Sequence, residues 1–348
     1  MELSKNDNQM AKGLAIIGMV MLHLFCRIEN LPYTPLIQIG DTPLIYYLGL
    51  FGDLCVPIYC FCSGYAQALL FDKETVSYKK SRLLRLLKFL INYWIVLVIF
   101  SIVGLVAGSA EVPGTIFDFL GNLCLYDISY NGAWWFVLTY AILVLVSPLL
   151  CKISKKINPI ILFVLSGVIY FISYLFRFSI QLDMPHVVLD ELWEQIFLFG
   201  TSQFSFVVGI IFYQKKLMTW LRGIKIKPVI KTIICLFVIA LLIAVHAIEQ
   251  SLIIAPITGL GTMICFHLVA KPKWVDKVFL FLGKHSTNIW LVHMFFYFVI
   301  FKDLVFVAKY PILILLLMFA ICITVSYIID FLNSGLNKLL FSGKKKHG

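Results

Sequence analysis

Long apolar runs, broken by short charged or Pro/Gly-rich segments, set the pattern of this chain. The runs predict membrane-spanning helices at 9–28, 44–71, 83–107, 132–150, 157–177, 194–213, 228–247, 251–270, 285–302 and 309–332. Each is near the roughly 20 residues that an α-helix needs to cross the hydrocarbon core. A weaker apolar stretch at 115–126 is too short to cross and is expected to lie at the interface. The expected architecture is all-α, a polytopic membrane protein with about ten transmembrane helices in a single domain over 1–348.

Charge then orients the helices. With the N-terminus inside, 25 of the 29 Lys and Arg fall on inner segments. Only Arg27, Arg177, Lys302 and Lys309 fall outside. Positive charge gathers on the cytoplasmic side of membrane proteins, so both termini are expected in the cytoplasm. Acidic residues lean the other way. Glu111, Asp118 and Asp127 share one outer loop, and Asp183, Asp190, Glu191 and Glu194 crowd the next. They read equally as ordinary loop carboxylates or as a polar outer mouth that meets sugar hydroxyls.

Composition agrees with the pattern. The 348 residues are 61% hydrophobic and 14% charged, with mean hydropathy +0.94. So few charges cannot cover a soluble fold of this size. The net charge of +11 is mostly the orientation signal plus attraction to anionic lipid, so no nucleic-acid partner is expected. The tail Lys344-Lys345-Lys346 fits that attraction, or is a plain solvated end. Nine cysteines lie mostly inside apolar runs without metal-ligand spacing, so they read as small packing residues and no metal is expected. The first apolar run lacks a small-residue cleavage pattern and is expected to stay as the first span.

Several polar groups sit where apolar residues are expected. Lys12 and His23 are eleven residues apart, which on an α-helix is three turns plus about 20°, so they share one face. The rise between them is roughly 16 Å, placing Lys12 near the cytoplasm and His23 deeper. Lys12 also reads as a snorkelling interfacial lysine and His23 as a helix-bridging polar residue, although ionisable groups inside spans are usually functional. Arg82 and Arg85 are i, i+3 neighbours at the cytoplasmic entry of the third span, and Lys88 extends the stripe. Paired guanidiniums suit phosphates, yet from these residues alone orientation charge is the preferred reading. Pro57 and Gly64 in the second span point to a kink and a close helix approach. Asp53, one turn before Pro57, needs a partner if buried, and His23 is the candidate; it otherwise faces the outer water layer. Trp134 and Trp135 read as an aromatic belt or as a stacking platform for a sugar. His293 lies well inside the ninth span, while His186, His246, His267, His285 and His347 fall near span ends and read as ordinary.

Taken in order, these segments resemble the membrane-bound acyltransferase family 3, the integral O-acyltransferases of bacterial surface glycans. The features that carry the resemblance are the basic residue and histidine of Lys12…His23, the run from Val56 to Tyr65, Arg82-x-x-Arg85, Trp135-Phe136, and Gly283-x-x-Ser286 leading to His293. The family's first basic residue is usually Arg, and Lys12 keeps the charge without the bidentate fork. An appended extracytoplasmic esterase-like domain, which some relatives carry, is not expected.

The resemblance implies an enzyme of the bacterial cytoplasmic membrane that moves an acetyl group from cytoplasmic acetyl-coenzyme A to a hydroxyl of an envelope glycan or lipid-linked sugar. It implies that Arg82, Arg85, Lys12 and Lys88 meet the coenzyme A phosphates. His23 would act as general base or carry the acyl group, with Asp53 orienting it. Trp135, His293 and Ser63 would help hold the acceptor. A different class of function remains open, a small-solute or glycan transporter or flippase, because intramembrane His23, Asp53 and His293 also suit a proton-coupled site.

Overall fold

In the computed structural model the described residues are 2–73, 78–180 and 187–341, without the side chains of 78–80 and 187–189. Asp183, His186, His347, the 344–346 lysine tail, and the side chains of Lys79 and Lys80 lie outside them.

The chain is almost wholly helical. Its helices are α1 Lys5–Phe25, α2 Leu44–Leu50, α3 Cys55–Lys73, α4 Tyr78–Ala107, α5 Ile116–Leu123, α6 Trp135–Lys156 and α7 Pro159–Phe178. There follow α8 Val187–Gln214, α9 Leu217–Gly223, α10 Pro228–Ile248, α11 Ala255–Leu268, α12 Lys273–Val292 and α13 Pro311–Phe341. A two-residue antiparallel pairing of Gln38–Ile39 with Thr42–Pro43, turned at Gly40, is the sheet structure among the described residues.

Among the described residues, eight helical stretches are long and apolar enough to cross a membrane. Seven begin and end close to the expected spans, and the eighth, Pro311–Phe341, outruns its apolar core toward the C-terminus. Helix α1 starts before the apolar run because Ser4 and Asp7 form a reciprocal cap. Asp7 donates its amide to Ser4 Oγ at 3.1 Å, and Ser4 donates its amide to Asp7 Oδ2 at 2.9 Å. The expected span 251–270 is a shorter apolar segment, Leu252–Leu268.

The expected span 285–302 is corrected. Helix α12 begins at Lys273, twelve residues earlier, and gives way at His293–Phe296 to a 3₁₀ turn. Lys273, Lys277 and Lys284 project as exposed residues on a helix that still buries Leu282 and Gly283, so the polar stretch is helical without being apolar.

The helices form two compact units. The first comprises 1–26, 46–78 and 139–284; the second comprises 27–45, 79–138 and 285–348. In the first unit α3 is central, packed against α1, α8 and α11, with α7 on α8 and α10 on α11. Glycines permit the closest approaches. A Cβ on Gly64 would lie 2.7 Å from the Phe206 carbonyl carbon, and one on Gly209 would lie 2.9 Å from the Tyr65 nitrogen. In the second unit Trp134 is fully buried and donates Nε1–H to the Leu291 carbonyl at 3.0 Å, while Trp290 returns a bond to the Ala133 carbonyl at 2.9 Å. Phe100 stacks on Phe295 at 4.1 Å.

Several ion pairs join residues to which the charge alternation gives the same side. Asp7–Arg222 and Asp72–Lys155 pair inner residues, and Glu111–Lys302 pairs outer ones.

Candidate functional site

Helix α1 carries Lys12 and His23, both half-buried. The helix is unbroken between them, so the shared face expected from their spacing is present. His23 lies in the last turn and takes part in an interaction within the structure. Below Lys12 the helix begins in a polar cluster. Asp7 Oδ1 lies 3.4 Å from Arg222 and 3.8 Å from His267 Nδ1. Glu2 accepts from Tyr65 Oη and Thr219 Oγ1, each at 2.7 Å. The sequence reading treated His267 as ordinary; its contact with Asp7 crosses 260 positions and has no local signature.

Asp53 is the main revision. It occupies a 3₁₀ turn, Phe51–Leu54, between α2 and α3, and its side chain is 3% exposed. Its Oδ2 meets Nε2 of His246, itself 2% exposed, at 2.7 Å. His23 is therefore not its hydrogen-bonding partner: Oδ1 is buried with no hydrogen bond. The physical reason is the position of α10, whose final turn brings His246 over the turn, while Phe51 stands edge-on to the imidazole at 6.1 Å. His246 is the residue that sequence reasoning missed. One signal was available: Asp53 and His246 both fall at outer span ends, and a buried carboxylate requires a cation or donor at its own depth.

Ser63 is half-buried on α3, beside the Gly64 contact with α8. Lys12, His23, Asp53 and Ser63 thus belong to the first unit.

Arg82, Arg85, Lys88, Trp135 and His293 belong to the second. On α4, Arg82 is half-buried and Arg85 is exposed; both take part in interactions. Lys88 is exposed, with its Nζ 5.5 Å from the centre of the Phe341 ring. Trp135 is half-buried, with Phe136 at 5.4 Å, whereas Trp134 is fully buried. His293 is completely buried, and Nδ1–H donates to the Trp290 carbonyl at 2.8 Å. Because a carbonyl only accepts, that bond requires Nδ1 to carry a proton.

One turn deeper on α4 begins a network that the sequence reading did not find. Asn92 donates to Asn288 Oδ1 at 2.7 Å; Asn288 donates to Ser326 Oγ and Asp330 Oδ1, each at 2.9 Å. His285 Nδ1 reaches Ser326 Oγ at 2.9 Å, and Asn333 donates to Asn92 at 2.9 Å. Such a seam, joining α4, α12 and α13, fixes helices in an apolar medium that offers polar groups no other partner.

Glu111, Asp118 and Asp127, the carboxylates expected to share one outer loop, have local partners. Glu111 accepts from Lys302 at 2.8 Å. Asp118 caps α5 through Thr115, which holds its carboxyl below the usual carboxylate range by backbone and side-chain hydrogen bonds. Asp127 accepts from Ser129 Oγ at 2.6 Å. For these three residues the arrangements favour the reading as ordinary loop carboxylates.

Eight apolar membrane-length helices, an α1 face bearing Lys12 and His23, and the Arg82-x-x-Arg85 stripe on α4 make a frame for comparison. No curated protein and no solved structure matches the chain. A family model described as "acyltransferase domain", that of acyltransferase family 3, matches residues 9–331 and so runs through both units. This chain belongs to the acyltransferase family 3 domain family and is a multi-pass membrane acyltransferase.

Proposed function

We propose that this acyltransferase moves an acetyl group from cytoplasmic acetyl-coenzyme A to a hydroxyl of an envelope glycan or lipid-linked sugar, in a bacterial cytoplasmic membrane with both termini inside. The observation that carries the reading is the pairing of Lys12 and His23 on one continuous face of α1, inside the acyltransferase match. In this reading His23 is the general base. The acceptor hydroxyl oxygen attacks the thioester carbon while the imidazole takes its proton. The C–O bond forms, the C–S bond breaks, and the imidazolium returns the proton to the thiolate, releasing coenzyme A as the thiol.

The roles of the other groups follow their chemistry. Lys12, Arg82, Arg85 and Lys88 are assigned the phosphates, Arg82 and Arg85 through the planar fork that suits phosphoryl oxygens. Trp135, through its indole ring, and Ser63 and His293 are assigned to the acceptor. Asp53 is assigned to the support of His23.

The test measures alkali-labile acetyl ester on envelope glycans of native, deleted and His23→Ala strains at equal membrane abundance. Loss of the ester in both altered strains, with the glycan still made, is the expected result. Ester retained by His23→Ala sinks the assignment of His23. Ester unchanged by deletion, or glycan lost altogether, turns the reading to a transporter or flippase, for which the buried Asp53–His246 pair would serve as a proton-coupled site.

A further inference from the structure

Asp53 and His246 form a polar pair in apolar surroundings, joined across 193 positions by one 2.7 Å bond. Burying a carboxylate and an imidazole is expensive, and two apolar side chains would fill the same space at no such cost. A hydrogen-bonded pair gives something that apolar packing does not, a single relative placement of the two elements that carry it.

The element carrying Asp53 also touches α1 next to His23. A Cβ added at Gly52 would lie 2.8 Å from the Gly18 carbonyl carbon and 3.1 Å from Leu22 Cβ, and Leu22 precedes His23. In return, a Cβ added at Gly18 would lie 3.3 Å from Leu54 Cδ1. Beyond His23, a Cβ added at Gly49, at the end of α2 just before the turn, would lie 3.3 Å from Phe25 Cβ. The segment Gly49–Leu54 therefore borders α1 on both sides of His23. A 3₁₀ turn inside a span has poorer hydrogen bonding than α-helix and needs outside support, which His246 supplies.

We propose that His246, through its hydrogen bond to Asp53, is a positioning residue for His23. His246 holds the Phe51–Leu54 turn in place, the turn holds the last turns of α1, and the His23 imidazole keeps the orientation that proton transfer requires. The proposal rests on the reading of His23 as the base. It assigns Asp53 an indirect part, through the backbone of its own turn, in place of a direct bond to His23.

The experiment compares native enzyme with His246→Leu and His246→Gln in detergent or liposomes, using acetyl-coenzyme A and an acceptor preparation from the deletion strain. Leu removes the donor to Asp53 Oδ2, whereas the Gln amide can still donate. His246→Leu is expected to lower kcat about 30-fold while KM for acetyl-coenzyme A stays within about twofold, since small misplacements of a reacting group reach about 100-fold. His246→Gln is expected to recover most of that loss. A second readout is carbethoxylation of His23 by diethyl pyrocarbonate, followed by mass spectrometry. Its rate should change at least about threefold in His246→Leu and little in His246→Gln.

Native kcat and native His23 labelling in His246→Leu would overturn the proposal. So would a variant that melts earlier but turns over normally per folded molecule. His246→Gln as impaired as His246→Leu would also overturn it, since donation to Asp53 would then not be the function. If His246→Leu does not fold, Asp53→Asn, which keeps size and removes charge, is read in the same two assays. Absence of ester formation by native enzyme would count against the acyltransferase reading, while the His23 labelling comparison would still decide the coupling.

Discussion

Replacing Gly64 by Ala adds one methyl group where α3 meets the α8 backbone. Its Cβ would lie 2.7 Å from the Phe206 carbonyl carbon and 3.1 Å from Phe206 Cα. Carbon atoms pack best at about 3.5–4.0 Å, so the two helices must part by at least about 0.8 Å. A gap of that size forfeits roughly a quarter to a half of each dispersion contact along the seam. Overpacking of this kind costs about 1–3 kcal/mol, and the better helix propensity of Ala returns about 0.5–1 kcal/mol. The difference spans about 0–2.5 kcal/mol, and an approach as close as 2.7 Å to backbone places Gly64→Ala in the destabilising upper part of that range.

Gly167→Ala on α7 is the internal control. Its Cβ would sit 3.5 Å from Phe204 Cε2, an ordinary contact. Only the propensity gain remains, so this variant should be stabilised by about 0.5–1 kcal/mol. Thermal unfolding of the purified protein in one detergent reads both. Opposite signs are expected from the same chemical change. The double variant Gly64→Ala/Gly209→Ala should lose less than the sum of its singles, because the first separation of α3 and α8 makes room for the second methyl. A neutral Gly64→Ala, or strict additivity in the double variant, would refute the backbone-contact account of this seam.

Two further outcomes follow from the second unit and its outer loop. Trp134→Ala should destabilise by about 3–5 kcal/mol, since it empties a fully buried site and removes one of the two donors to the Leu291 carbonyl, Asn131 Nδ2 remaining at 3.0 Å, whereas Trp135→Ala, half-buried, should cost less and show chiefly in acceptor KM. The Asp118 cap has a folded-state pKa below 3.8, so its stabilisation is fully present above that value and fades as pH falls through the lowered one. The protection factors of the α5 amides, their exchange rates corrected for the intrinsic pH dependence of amide exchange, should therefore fall on acidification below about pH 4 in native protein, with Asp118→Asn already less protected at neutral pH and insensitive to that change.

The outline of the fold was legible because membrane helices announce themselves by length and hydropathy, and the Lys12–His23 face follows from helical geometry alone. Helix α12 escaped because Lys273, Asp276, Lys277 and Lys284 read as a loop, although their side chains hang from one regular helix. The site was legible only where it is local. Arg82 and Arg85 are neighbours on one helix by spacing, but the bond from Asp53 to His246 depends on how α10 packs, and nothing within either segment records it. Trp134 and Trp135 are chemically identical neighbours. Which one is buried is decided by the change from the 3₁₀ turn Gly132–Trp134 to α-helix between them.

The 3₁₀ turn at Phe51–Leu54 also sets the angular phase of everything after it. Each 3₁₀ residue advances about 120° instead of about 100°, so four of them rotate the rest of the span by roughly 80° and lengthen it by about 2 Å. The contacts of Tyr46 and Gly49 before the turn, and of Gly64 after it, are therefore two separate registers joined by a fixed offset. Inserting or deleting a single residue in the turn would break that offset. Asp53 could then keep His246, or Gly64 keep Phe206, but not both, so the length of this segment is as constrained as its chemistry.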